Sequence, residues 1–261
     1  MTSTKLKMIA LATMFIDHYG HFIPDSPDWM RWVGRVAAPI FIYCVVIGYK
    51  HTSNRKRYLT RLGIAAVGMS FLNLFINFHV YYSDLNRLYI EMNFFSTLFL
   101  IVFLIMLLEK KKVRFLIGLF VWQFVSFFIF GSLEVTGLLN SPMAIFTIQT
   151  SGNLLVVDGG LLMILLGILF YFAKENKWKV TISYGFYCLI LFYLVRRWGW
   201  IREGLFSHLF GFFDFQWMMI FALPLLLLYN GKKGIGLKYF FYVFYPLHIA
   251  VLWYIGMVLS Q

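Results

Sequence analysis

The stretch MNFFSTLFLIVFLIMLLEKKKVRFLIGLFVWQFVSFFIFG, residues 92–131, decides the fold class. Two apolar runs, 92–108 and 114–131, flank the charged break EKKKVR, and each is close to the length of a helix that crosses a bilayer core. A helix satisfies its backbone hydrogen bonds internally, as lipid requires of anything that spans it. Working outward, seven more runs share this character, with cores at 6–23, 30–49, 60–78, 153–173, 180–195, 216–229 and 240–259. The sequence therefore predicts an all-α, polytopic transmembrane helical bundle of about nine spans, forming a single domain over 1–261.

Composition agrees. Of 261 residues, 61% are apolar, 21% aromatic and only 13% charged, which no soluble domain of this size tolerates on its surface. The formal charge of +12 is dispersed in short basic clusters between apolar runs, the pattern of loop topology and lipid headgroups and not of a nucleic-acid-binding stripe. Cys44 and Cys188 fall inside apolar runs and are expected to behave as small hydrophobes. Lys5 and Lys7 followed by Met8 to Phe15 imitate a signal peptide. No small-residue cleavage pattern follows, however, and the run continues into Asp17, His18 and His21, so it is expected to persist as the first span.

Alternating the loops between two sides sorts the charges. One side receives Lys5, Lys7, Lys50, Arg55, Lys56, Arg57, Arg61, Lys110, Lys111, Lys112, Arg114, Lys174, Lys177, Lys179, Lys232, Lys233 and Lys238. The other receives Arg31, Arg35, Arg87, Arg196, Arg197 and Arg202, so 17 of the 23 basic residues share a side. Cytoplasmic loops retain positive charge, which places the N-terminus in the cytoplasm and, with nine spans, the C-terminus outside. The chain shows no internal repeat of the kind common in transporters. Region 196–215, RRWGWIREGLFSHLFGFFDF, is amphipathic enough to lie in the interface or re-enter, and its Arg196, Arg197, Trp198, Trp200 and Arg202 suit an anionic or interfacial partner.

Ionisable side chains inside spans are costly, and so mark candidate function. In the first span Lys7 and His18 are eleven residues apart, sharing one helical face at about 16 Å. Asp17 and His21, four apart, share another face. Three readings of Asp17, His18 and His21 stand open. As metal ligands they offer only three donors at loose spacing, without Cys or an HExxH pattern. As a polar network they would tie helices together. As a general base with an orienting carboxylate they would move a proton. Adjacent helical positions diverge by about 100°, so Asp17 does not face the ring of His18 and a partner from another span is required. Asp158, Arg35, Asn93 and His248 are the spanning candidates, though each taken alone reads more readily as helix glue or as satisfying a kink near Pro39 or Pro246.

Soluble nucleotide motifs are absent, with no GxGxxG, GxxxxGK[ST] or GxSxG pattern. The loop KHTSNRKRYLTR instead puts Arg57 and Arg61 four apart on one helical face, beside Lys56, suited either to phosphate binding or to topology alone.

The run LKMIALATMFIDHYGH followed by GRVAAPIFIYCVVIGYKHTSNRKRYLTRL resembles the opening of the TraX family, whose namesake acetylates F-type conjugative pilin. NFFSTLFLIVFLIMLLE, VVDGGLLMILLGILFYF, FALPLLLLYNGKKG and FYVFYPLHIAVL continue the resemblance in order. The family is also similar to the acyltransferase 3 class, whose first span carries Arg, ten residues and His, with an RxxR after the second span. Here Lys7 replaces that Arg and Arg57–Arg61 is one residue longer, while His18 keeps its position.

The resemblance implies a multi-pass acetyltransferase of the bacterial cytoplasmic (inner) membrane. Acetyl-CoA would be the cytoplasmic donor, and a peptide or pilin amine or a glycan hydroxyl the extracytoplasmic acceptor. His18 would be the base, aided by Asp17 or Asp158. Lys7, Lys56, Arg57 and Arg61 would hold the donor, and Arg35, Asn93 or His248 the acyl oxygen. No metal or nucleic acid is expected; membrane lipids are. A transporter or flippase of a small or lipid-linked solute is the rival class, and a non-catalytic membrane scaffold the third.

Overall fold

The computed structural model describes residues 1–82, 89–111, 113–136, 141–198 and 215–259, and every regular element among them is helical. In order these are α1 (Ser3–Phe22), α2 (Trp29–Gly34), α3 (Ala37–Lys50), α4 (Arg55–Tyr82), α5 (Phe94–Lys110), α6 (Val113–Val135), α7 (Pro142–Thr150), α8 (Gly160–Ala173) and α9 (Lys177–Trp198). A 3-10 segment (Gln216–Ala222), α10 (Leu223–Leu227) and α11 (Lys238–Leu259) complete the chain.

Five helical stretches among the described residues are long and apolar enough to cross a membrane: Trp29–Lys50, Arg55–Tyr81, Val113–Leu133, Lys177–Arg197 and Tyr239–Leu259. Gly160–Ala173 and Gln216–Leu227 are apolar but shorter. Large apolar side chains such as Phe120, Phe124 and Phe128 on α6 stand exposed, as side chains in contact with lipid do. The chain is a multi-pass α-helical membrane protein.

The elements depart from the apolar runs where the backbone demands it. The run 30–49 breaks at Arg35 and Val36, because Pro39 lacks the amide that would bond the carbonyl four residues earlier. Only the later part of 153–173 is helix. Gly159 and Gly160 hold φ of 74° and 57°, a left-handed backbone that ends one path and starts α8. Helix α7 lies outside the nine apolar runs; Ser141 caps it by accepting from the Ala144 amide and Pro142 opens its first turn. Arg87, Lys112, Arg202 and all of 196–215 except its first three residues and Phe215 lie outside the described residues.

Contacts divide the chain into two units: Met1–His51 with Leu165–Ser207 and Phe212–Gln261, and Thr52–Ile164 with His208–Gly211. In the first, α1 and α11 run parallel. Lys7 lies 5.7 Å from the centre of the Phe241 ring, Phe15 is 6.5 Å from Phe244, and a Cβ on Gly256 would strike the carbonyl oxygen of Phe22. Gly256 is thus what lets the C-terminal turns of the two helices touch. α3 runs antiparallel to α1, with Cys44 against the Ser3 carbonyl.

The start of α1 is tied to the loop before α11. The Ser3 and Thr4 amides donate to the carbonyls of Lys232 and Lys233 at 2.9 and 3.0 Å, and the Thr4 hydroxyl donates to Ile235 at 2.7 Å. These carbonyls satisfy amides that a helix start otherwise leaves orphaned. At the same end, Glu175 accepts from Lys50 at 3.0 Å and from His51 at 2.8 Å. Burial pushes the Glu175 carboxyl up, but these two donors outweigh it and hold the carboxyl below its ordinary value.

In the second unit α4 and α5 run antiparallel, closed at one end by an Arg55–Glu109 ion pair of 2.7 Å. A polar stripe on α4 holds the non-helical segment 89–93. Asn77 donates to the Ile90 carbonyl at 3.0 Å and accepts from the Ile90 amide at 2.8 Å, as a neighbouring strand would. Asn73 donates to Met92, and Asn93 donates to the Ala66 carbonyl and to Ser70. Non-helical backbone survives within a membrane protein only when its polar groups are satisfied in this way. Asn77→Leu, which orphans both Ile90 groups, is expected to cost about 2 kcal/mol. Chemical denaturation in detergent checks this, and an unchanged midpoint would show that the pairing contributes nothing to stability.

Candidate functional site

Two histidines meet within the first unit. His18, on α1, is buried with 7% of its surface exposed, and His248, on α11, with 4%. His18 Nδ1 lies 2.6 Å from His248 Nε2. The ring centres are 4.9 Å apart with planes 12° from parallel. The centre separation exceeds the nitrogen separation by about two ring radii, so both nitrogens lie on the line between the centres. The rings therefore meet edge to edge, nearly coplanar, in a head-on hydrogen bond, and are not stacked face to face. His248 Nδ1 in turn lies 2.7 Å from the Phe244 carbonyl, one helical turn back on α11 near Pro246. Phe15, Phe22, Phe244 and Tyr245 enclose the pair.

One position earlier on α1, Asp17 faces α2. Arg35 brings its Nη2 to 2.7 Å from both carboxylate oxygens, and Arg31 Nη1 lies 3.0 Å from Oδ1 and also donates to the Asp17 carbonyl. Arg35 donates further to Gln216 Oε1 at 3.1 Å and to the Arg31 carbonyl. The carboxylate and both guanidiniums are nearly buried, at 11–14% exposure, a setting in which a lone charge would be severely penalised. Gly34 makes the approach possible: a Cβ there would collide with the side chain of Asp17.

A family model described as TraX protein matches residues 2–256, almost the whole chain. The chain belongs to the TraX family. It is also 26% identical over 263 residues to a probable fimbrial assembly protein, FimC of serogroup H1, from Dichelobacter nodosus, covering 95% of this chain and 93% of that one. No solved structure matches.

In this TraX chain the expected site residues fall into two groups. The first unit brings together His18 with His248 and Asp17 with Arg35, and Lys7 stands about three α1 turns nearer the start of the helix, over Phe241. The remaining residues, His21 of α1 excepted, belong to the second unit. Asn93 caps α5 by accepting from the Ser96 amide and is hydrogen-bonded to α4. Asp158 lends its backbone carbonyl to Thr97 at 2.6 Å. Lys56 and Arg57 are exposed at the start of α4. Arg61 lies over the Tyr58 ring at 5.7 Å, and its buried Nε has no hydrogen-bond partner among the described residues. His21 is exposed, its ring edge-on to Phe22. No group of three or more His, Cys, Asp or Glu suited to a metal occurs among the described residues.

Two functional candidates were missed. Arg31 enters the sequence reading only through the charge count on the outward half of the second span, although its spacing of four from Arg35 puts both guanidiniums on one helical face. Gln216 carried no sequence signal.

Proposed function

We propose that this TraX-family chain is a membrane-embedded acetyltransferase acting in pilus-related processes, moving an acetyl group from cytoplasmic acetyl-CoA to an extracytoplasmic acceptor. The acceptor is a peptide or pilin N-terminal amine or a glycan hydroxyl. The observation that carries this reading is a buried imidazole, His18, whose Nδ1 is engaged by a second histidine while its Nε2 has no hydrogen-bond partner among the described residues. That arrangement leaves a lone pair available for a proton.

The chemistry balances without a further reagent. The acceptor nitrogen or oxygen attacks the thioester carbon as His18 Nε2 takes its proton. The C–S bond breaks, a C–N or C–O bond replaces it, and the imidazolium returns the proton to the CoA thiolate. The family membership and the fimbrial assembly relative support the pilus context.

The location is the bacterial cytoplasmic membrane, with about nine spans, the N-terminus inside and the C-terminus outside. Lys5, Lys50, Lys232 and Lys233 gather at the end of the first unit where α1 and α11 begin, while Arg31 and Arg35 sit beyond the middle of α1, which supports that orientation. The parallel course of α1 and α11 supports an odd number of crossings.

Lys7, Lys56, Arg57 and Arg61 are assigned to the anionic donor, and the orphaned Arg61 Nε fits an oxyanion partner. Arg57→Ala with Arg61→Ala is expected to raise the KM for acetyl-CoA by roughly tenfold or more with a smaller fall in kcat. Steady-state kinetics on the reconstituted protein measure this. An unaltered KM would make the loop a topology signal.

The function itself is tested by mass spectrometry of extracytoplasmic peptides and glycans from cells with and without the chain. An added acetyl mass that depends on the chain is expected. Its absence, with no CoA binding by titration calorimetry, would favour a transporter or flippase instead.

A further inference from the structure

We propose that His248 is the positioning residue that sets the tautomer of His18, so that His18 Nε2 is the atom that takes the proton. This rests on the acetyltransferase reading for its catalytic meaning but not for its structural content. The assignment follows from one fixed point. A backbone carbonyl has no proton to give, so at 2.7 Å from the Phe244 oxygen His248 Nδ1 carries the hydrogen and donates it. A neutral imidazole with a proton on Nδ1 has a lone pair on Nε2. At 2.6 Å the facing His18 Nδ1 must then be the donor, since two lone pairs or two N–H groups cannot share that separation. The hydrogen of His18 is thereby placed on Nδ1 and the lone pair on Nε2. Three atoms of the chain, the Phe244 oxygen and the two nitrogens of His248, pass this polarity from α11 to α1.

The near-coplanar geometry matters to the result. Rings met edge to edge point the Nδ1–H along the lone-pair direction of its partner, whereas stacked rings would leave the tautomer unset. Both nitrogens of His248 are engaged within the protein, so its neutral ring has no N–H left to bind an acyl oxygen. In hydrolases of the Ser-His-Asp type a carboxylate holds the base histidine in its tautomer. Here the carboxylate one position away is taken by Arg31 and Arg35, and a neutral imidazole stands in that place. A neutral partner adds no negative charge, so it orients the base without an electrostatic pull towards the imidazolium. When Nε2 takes a proton, the Nδ1 proton can shift along the same hydrogen bond to His248, spreading one positive charge over two rings.

The test uses the full chain in lipid nanodiscs with 15N-labelled histidine, comparing wild type, His248→Leu and His248→Gln. Nitrogen chemical shifts read which nitrogen of His18 is protonated, whether or not any acetyl transfer is detected. Wild type is expected to show His18 protonated at Nδ1. His248→Leu, lacking the acceptor, is expected to lose that preference and, in transfer assays, to lower kcat by roughly 10²-fold with KM for acetyl-CoA little changed. His248→Gln, whose side-chain oxygen can accept, is expected to keep the Nδ1–H form and recover much of the rate. A wild-type His18 protonated at Nε2, or a tautomer unmoved by His248→Leu, would overturn the proposal. The wild-type spectrum decides even if a variant fails to fold. The expected tautomer in a protein that transfers no acetyl would leave this assignment standing and remove the acetyltransferase reading.

Discussion

His18→Ala is expected to lower acetyl transfer by roughly 10²–10⁴-fold, the range that a positioned general base supplies. The loss should appear in kcat, because the ring acts on the acceptor proton as the thioester is attacked, while affinity for acetyl-CoA depends on contacts elsewhere. The protein should remain folded. His18 shares its buried face with Leu11 and Met14 on the same helix, and α1 is also held at its start by the bonds of Ser3 and Thr4 to the loop before α11. Transfer is read as acetylated acceptor by mass spectrometry, and folding as a single symmetric peak in size-exclusion chromatography. A variant that folds and retains full transfer would remove His18 from the mechanism and leave the His18–His248 contact a structural one. His18→Gln should be equally inactive, since it keeps a donor and an acceptor but has no basic nitrogen at neutral pH.

What the sequence discloses and what it withholds differ in kind. Length, hydropathy and charge clusters are local properties of the chain, and they placed α1, α4, α5, α6, α9 and α11 within a few residues. They also marked His18, His248, Asp17 and Arg35 as polar residues that lipid should exclude. Pairing is a property of segments distant in sequence. That Asp17 meets Arg31 and Arg35, and His18 meets a residue 230 positions away, depends on which faces the helices present to one another. A single sequence does not encode that in any readable period.

Other misses had local signals. Ser141 before Pro142 is a helix start, and Ser70, Asn73 and Asn77 recur at helical spacing, a polar stripe on an otherwise apolar helix. Apolar length alone also overstated the helix at 153–173, where Gly159 turns the backbone left-handed.

Asp17→Ala should be the most destabilising substitution in the first unit, by about 3–5 kcal/mol, because it takes the carboxylate from two nearly buried guanidiniums. Asp17→Asn should cost less, since its amide oxygen still accepts from Arg35, yet it removes the negative charge and so remains clearly below wild type. The fit of α2 against α1 sets a second condition on the same place. Gly34→Ala would drive a Cβ into Asp17, and the first atom met is the Cβ of Asp17 itself, so shortening that side chain to Ala makes no room. The double variant Asp17→Ala with Gly34→Ala should therefore show no rescue and lie below either single variant. Residues in contact commonly couple, and a rescue would mean that the collision is with the carboxylate alone. Thermal unfolding in detergent, followed by fluorescence, reads all four variants beside wild type. If Asp17→Ala unfolds at the wild-type temperature, the carboxylate is not what holds Arg31 and Arg35 in place.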